Sequence, residues 1–220
     1  MRITFFLTTC LFAASAHAGG ATPTQPTQQT ACSFGAFVNE TDRAGLNVRQ
    51  SPNASSKILG KLPANYKDPD SPMIVRVEVE VLASQNGWFL IDSATDNTTL
   101  TEKPERPMYS GKGWVSGKKL AIKTQASKAR LAPDGKADTA FLVGNVLDGD
   151  SLSKPAQLIA CNGKWALLEY SLSGVPKDDL PEIKINPAAQ TGAPNGRVRG
   201  WVNRICEIQE TSCSGLGNEP

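Results

Sequence analysis

Between Val75 and Leu82 (VRVEVEVL) apolar and polar side chains alternate. That is the period of a strand with one face in a core and Arg76, Glu78 and Glu80 turned to water. Asn86-Gly87 and Asn162-Gly163 read as tight hairpin turns, because Asn-Gly accepts the positive φ that such turns demand. A tryptophan follows each turn, Trp88 and Trp165, opening the next strand and expected to point inward. Gly-Trp-Val at 113–115 and again at 200–202 reads as a closing strand. Helical periodicity is missing apart from a single turn expected near Val202 to Cys206. The pattern predicts an all-β protein.

The landmarks also repeat in order. Arg49-Gln-Ser-Pro52 has a counterpart in Arg130-Leu-Ala-Pro133, Ile58-Leu-Gly-Lys-Leu62 in Phe141-Leu-Val-Gly-Asn-Val146, Asn86-Gly-Trp88 in Asn162-Gly-Lys-Trp165, and Gly113-Trp-Val115 in Gly200-Trp-Val202. Four matches in one order indicate an internal duplication, joined near residues 121–125. Two small units follow, 32–122 and 123–220, the second ending in a cysteine-containing tail. Residues 19–31 (GGATPTQPTQQTA) are small and polar with no apolar period, and are expected to form a flexible linker.

The N-terminus reads as a signal peptide over residues 1–18. Met1-Arg2 is basic, Ile3 to Ala14 is apolar, and Ala16-His17-Ala18 is a small-x-small cleavage site. The apolar run falls short of the 20 or so residues of a membrane span, and no other run approaches that length. His17 belongs to this segment, and the chain has 1 histidine. Cleavage after Ala18 therefore leaves none, which excludes Ser-His-Asp and Cys-His catalysis and histidine-ligated zinc. The S-x-x-K pairs Ser116–Lys119 and Ser151–Lys154 lack the partner motifs of penicillin-binding enzymes. Asp178-Asp179 is the residual carboxylate candidate. The reading is a protein that is not an enzyme, with no metal and no cofactor. A net charge of +2 offers no electrostatic case for nucleic acid or a membrane surface.

Cys10 leaves with the signal, so Cys32, Cys161, Cys206 and Cys213 remain. Four cysteines without paired C-x-x-C spacing read as two disulfides in an oxidising compartment, periplasmic or extracellular, with three pairings open.

Gly45-Leu-Asn-Val-Arg49-Gln-Ser-Pro52, Ile58-Leu-Gly60, Val79-Glu-Val-Leu82, Asn86-Gly-Trp88 and Gly113-Trp-Val115 together resemble the bacterial SH3 (SH3b) family. Its pattern reads L-N-V-R-x-x-P, x-V-I-G, V-x-V-L, G-W and G-W-V. The second unit departs from it, with Ala129-Arg130 in place of Asn-Val-Arg. The resemblance implies two SH3-like barrels in tandem, each carrying a long inserted hairpin loop. It also implies a non-enzymatic binding module of the bacterial cell envelope, recognising peptidoglycan, peptide or an envelope protein. The alternative is a periplasmic inhibitor or immunity protein for a cell-wall hydrolase. By the family's topology Cys161 is expected beside Cys206, leaving Cys32 for Cys213.

Ligand-binding candidates follow from side-chain chemistry. Trp114 and Trp201, in the closing strands, are expected half-exposed as stacking platforms, with Trp88 and Trp165 in the two cores. Arg49 and Arg130, each before a turn-forming proline, suit either a bond to loop carbonyls or a clamp on a ligand carboxylate. The insertions Asp92–Lys112, with Met108 and Tyr109, and Ser171–Val198 occupy the same place in both units, and long loops on a rigid scaffold are common binding elements.

Overall fold

The computed structural model describes residues 21–67, 69, 74–97, 103–142, 156–174 and 184–206. The expected signal peptide, Cys213 and Asp178-Asp179 lie outside these residues. No helix among the described residues is long and apolar enough to cross a membrane.

The fold is all-β, built on two large antiparallel sheets. The first uses β1 (Thr30–Val38), β2 (Leu46–Arg49), β3 (Ile58–Leu62), β6 (Val77–Gln85), β7 (Trp88–Asp96), β8 (Gly113–Ser116) and β9 (Leu120–Ala121), in the order β3-β2-β8-β7-β6-β1-β9. The short strands β4 (Tyr66–Lys67) and β5 (Ile74–Val75) pair beside it. After β10 (Lys123–Thr124), the second sheet uses β11 (Lys128–Arg130), β12 (Thr139–Leu142), β13 (Ala156–Asn162), β14 (Trp165–Ser171), β15 (Lys184–Ile185) and β16 (Arg197–Val202). Its order β13-β14-β16-β11-β12-β15 contains β12-β11-β16-β14-β13, the counterpart of β3-β2-β8-β7-β6. The order that repeats in the sequence thus repeats in space.

Local chemistry accounts for the strands. In β6, Val77, Val79 and Val81 are buried and Glu80 is exposed, with Glu78 between. Asn86 and Gly87, at φ 51 and 78, form the two-residue loop between Gln85 and Trp88, as a type I′ hairpin needs. The second hairpin differs from expectation by one residue. Asn162 pairs with Trp165, so the loop is Gly163-Lys164, and Gly163 takes the positive φ of 56. The helical turn expected near Val202 to Cys206 is instead a strand, β17 (Ile205–Cys206), reached through Arg204 at φ 54.

The junction explains two further departures. β1 begins at Thr30, inside the segment expected to be a linker, because the backbone of Thr30 and Ala31 finds β6 partners at Ser84 and Ala83. A bulge between Ala31 and Phe34 then frees the edge of β1 for the second sheet. Ser33 donates its N–H to the Gly163 carbonyl (2.9 Å), and Gly163 returns one to Ala31 (2.8 Å). Cys32 therefore meets Cys161, and these two form the disulfide, not the expected pairs Cys161–Cys206 and Cys32–Cys213. The expectation placed Cys161 against its own unit, whereas its strand packs on the other one. Cys206 is itself disulfide-bonded.

The two sheets share one apolar core. Phe89, Ile91 and Val115 of the first and Phe141, Leu168 and Val202 of the second belong to a continuous cluster bridged by Leu120, Ile122 and Leu158. A Cβ on Gly117 would fall on the Leu158 carbonyl and 2.5 Å from the Phe89 ring, so only a glycine lets the sheets approach this closely. β10 and β17 close the junction, with Lys123 opposite Cys206 and Thr124 opposite Ile205.

Candidate functional site

All four tryptophans lie on the faces turned away from the shared core. Gly113 and Gly200 set the parity: a Cβ on the first would strike Val48, and one on the second Ala129 and Phe141. Trp114 and Trp201, one residue on, therefore project to the other face, as do Arg49 and Arg130, which pair with them across the sheet. Each face carries the same cross-strand row. In the first sheet it runs Ala83, Leu90, Trp114, Arg49, Ile58. In the second it runs Ala160, Leu167, Trp201, Arg130, Thr139.

Burial along these rows reverses the expectation for the tryptophans. Trp114 and Trp201 are only 7% and 3% exposed, whereas Trp88 and Trp165 are half-buried. Phe89 and Ile91 fill the core beside Trp88; Ala166, Leu168 and Tyr170 do so beside Trp165. The closing tryptophans are covered because they sit mid-row, flanked by neighbouring strands on both sides. In the second sheet Trp201 joins Ala160 and Leu167 in a small separate cluster, with Trp165 and Ile159 at its margin.

The two arginines share one local role. Arg49 donates from Nη1 to the Ser56 carbonyl (2.7 Å) and Arg130 from Nη1 to the Ala137 carbonyl (3.0 Å), each bracing the turn seven residues ahead. Both arginines are half-buried. Beside them lies a second shared device, a cross-strand ion pair. Asp92 meets Lys112 at 3.5 Å in the first sheet. At the same place in the second, Glu169 meets Arg199 at 2.8 Å and also takes Arg197 at 3.1 Å.

The insertions do structural work that their composition does not reveal. Met108 and Tyr109 pack against the shared core. The Tyr109 N–H donates to the Lys61 carbonyl (2.9 Å), and its ring lies so close over Gly60 that a Cβ there would stand 2.6 Å away. In the second sheet β15 pairs with β12, Phe141 opposite Ile185 and Leu142 opposite Lys184. Both insertions thus return to cover the outer edge of the equivalent strand, β3 or β12, which would otherwise offer unpaired backbone groups to another chain. A buried pair fixes the first insertion. Arg106 grips Asp96 through Nε (2.8 Å) and Nη2 (2.7 Å) and reaches the Ala64 carbonyl through Nη1 (2.5 Å). Burial by itself would raise the Asp96 carboxyl, but the Arg106 bonds and charge outweigh it and hold the group below its ordinary 3.8.

A groove of about 430 Å³ opens on β1, β6 and β7, lined by Ser33, Gly35, Glu78, Glu80, Ser93 and Thr95 among others. Of the groove's lining, Cys32 was named from the sequence as a disulfide cysteine and none as a ligand-binding candidate; small side chains dispersed over three strands leave no motif. Among the described residues no group of three or more His, Cys, Asp or Glu is placed to hold a metal ion.

The motif that opens at Gly45 and closes at Val115 is folded as one run of strands, β2 to β8. Residues 44–121 match the bacterial SH3 domain family. The SH3 match leaves out β1, which supplies Cys32, and it leaves out the whole second sheet, which nonetheless repeats the strand order of the matched unit. No curated protein and no solved structure matches the chain.

Proposed function

We propose that the chain is a non-enzymatic binding protein of the bacterial cell envelope, taking peptidoglycan or an envelope protein as its partner. The observation that carries this reading is the bacterial SH3 match over residues 44–121, since such domains are commonly cell-wall binding modules. The duplicated rows support it further, each pairing an arginine with a buried tryptophan, Trp114 or Trp201, while the half-buried Trp88 and Trp165 lie on the same outward faces. A bacterial SH3 unit together with a disulfide is compatible with a periplasmic or extracellular location.

Units 32–122 and 123–220 act in this reading as one rigid body, because they share a core and a covalent link. The binding face in this reading is one of the two outward rows, Arg49 with the margin of Trp114 or Arg130 with the margin of Trp201, while Met108 and Tyr109 secure an edge. Co-sedimentation with purified peptidoglycan sacculi tests the proposal. Binding that saturates, and that weakens when Trp88 and Trp165 are both replaced by alanine, supports it. Capture of one stoichiometric protein from envelope extract, with no sacculus binding, would replace it with the inhibitor or immunity reading.

A further inference from the structure

The chain carries 23 Lys and Arg against 21 Asp and Glu, a net +2. With so small a total charge, attraction of an ionic ligand has to be local, within the Debye length of about 8–10 Å at working salt. Among the described residues the second outward face gathers three arginines. Arg130, Arg197 and Arg199 share it, and Glu169, the carboxylate beside them among the described residues, is 4% exposed and already engaged by two of the three. The same place in the first sheet holds Arg49 and Lys112 against Asp92 and its cross-strand neighbour Glu80, so no positive charge is left over there.

The remaining donors are suitably placed for an oxyanion. Among the described residues Arg130 bonds through Nη1 to the Ala137 carbonyl, which orients its half-buried guanidinium. Arg199 lies two residues from Trp201, the cross-strand partner of Arg130, which makes Arg130 and Arg199 diagonal neighbours on one face. Trp165 adds a half-buried indole on the same face. We propose that this second face, rather than the family-matched first unit, is the primary ligand site, and that it recognises a carboxylate carried beside an apolar or sugar surface. The planar fork of arginine takes a carboxylate through two parallel bonds, and within the face Glu169 already accepts from Arg197 on one oxygen and from Arg199 on the other. This rests on the binding reading above and adds to it the face and the chemical group.

The two sheets provide their own control. Arg49→Gln and Arg130→Gln each remove the same turn-bracing bond, so the structural loss is matched, but only Arg130 belongs to the three-arginine face. Co-sedimentation is measured on native sacculi and on sacculi whose carboxylates have been amidated with ethanolamine. The expected result is that R130Q weakens binding to native sacculi by about tenfold or more, the size of a lost charged hydrogen bond. R49Q weakens it much less, R130K recovers part of the loss, and amidation abolishes binding by the unmodified protein. Equal losses in R49Q and R130Q, or full binding to amidated sacculi, would overturn the proposal while leaving the binding reading intact. Failure of the unmodified protein to bind either preparation would overturn this proposal together with the peptidoglycan half of the binding reading.

Discussion

Replacing Cys32 and Cys161 together with alanine removes a cross-link between residues 129 positions apart. In the chain-entropy account, releasing a loop of that length costs about 5 kcal/mol, almost all of it through the unfolded chain. The folded state should change little, because Cys32 and Cys161 are small, buried groups and the surrounding bonds survive. Those bonds include Ser33 to Gly163, Gly163 to Ala31, and the Cys161 N–H to Ser84 Oγ at 3.0 Å. Urea unfolding followed by tryptophan fluorescence is the assay. With a slope near 2–3 kcal/mol/M, the midpoint is expected to fall by about 2 M, while near-ultraviolet circular dichroism in buffer stays as it was. A midpoint shift below about 0.5 M would refute the loop-closure reasoning. A peptide map linking Cys161 to Cys206 would refute the pairing itself.

Other perturbations probe the junction, the rows and the buried ion pairs. Gly117→Ala is expected to cost about 1–3 kcal/mol in thermal melts by forcing the sheets apart, whereas Gly135→Ala, with open space around its Cβ, stays within about 0.5 kcal/mol. Trp201→Ala is expected to lose about 3–5 kcal/mol and Trp88→Ala under about 2 kcal/mol; the opposite ranking in chemical denaturation would mean the outward rows are misassigned. Asp96 and Glu40 are both held below their ordinary values of 3.8 and 4.5. In each, burial is outweighed by bonds, from Arg106 at Asp96, and from the Asp42 and Thr41 amides and Lys119 at Glu40. The unfolded chain therefore binds more protons, so their contribution is complete above those values and is lost as pH falls through the lower folded ones. Stability measured against pH should drop below about pH 4, and Asp96→Asn should make that drop shallower.

Much of the fold was legible before any coordinates. Val77, Val79 and Val81 alternate with charged residues, so one face of β6 could only be the buried one. Asn86-Gly87 named its hairpin through the φ values it tolerates, and the repeat of Arg-x-x-Pro, Trp and Gly-Trp-Val disclosed the duplication. The tryptophans were misread for a physical reason. From Trp88 to Ile91 every side chain is apolar, because one parity enters the core and the other lies in the outward row. Alternation carries no direction when both faces of a strand are covered. Glu169 and Arg199 did carry that information for the second sheet, since a charged cross-strand pair marks the outward parity and therefore places Trp165 and Trp201 on that side.

Strand identity, turn chemistry and the duplication follow from interactions within a few residues, and a linear text records such neighbours faithfully. The partner of Cys161, the shared core around Leu120 and Leu158, the edge-covering return of Tyr109 and Ile185, and the gathering of Arg130, Arg197 and Arg199 depend on pieces of chain tens to more than a hundred residues apart. Those contacts come from one sheet packing on another and from strands finding neighbours out of order, and no local pattern of hydrophobicity encodes which surface meets which.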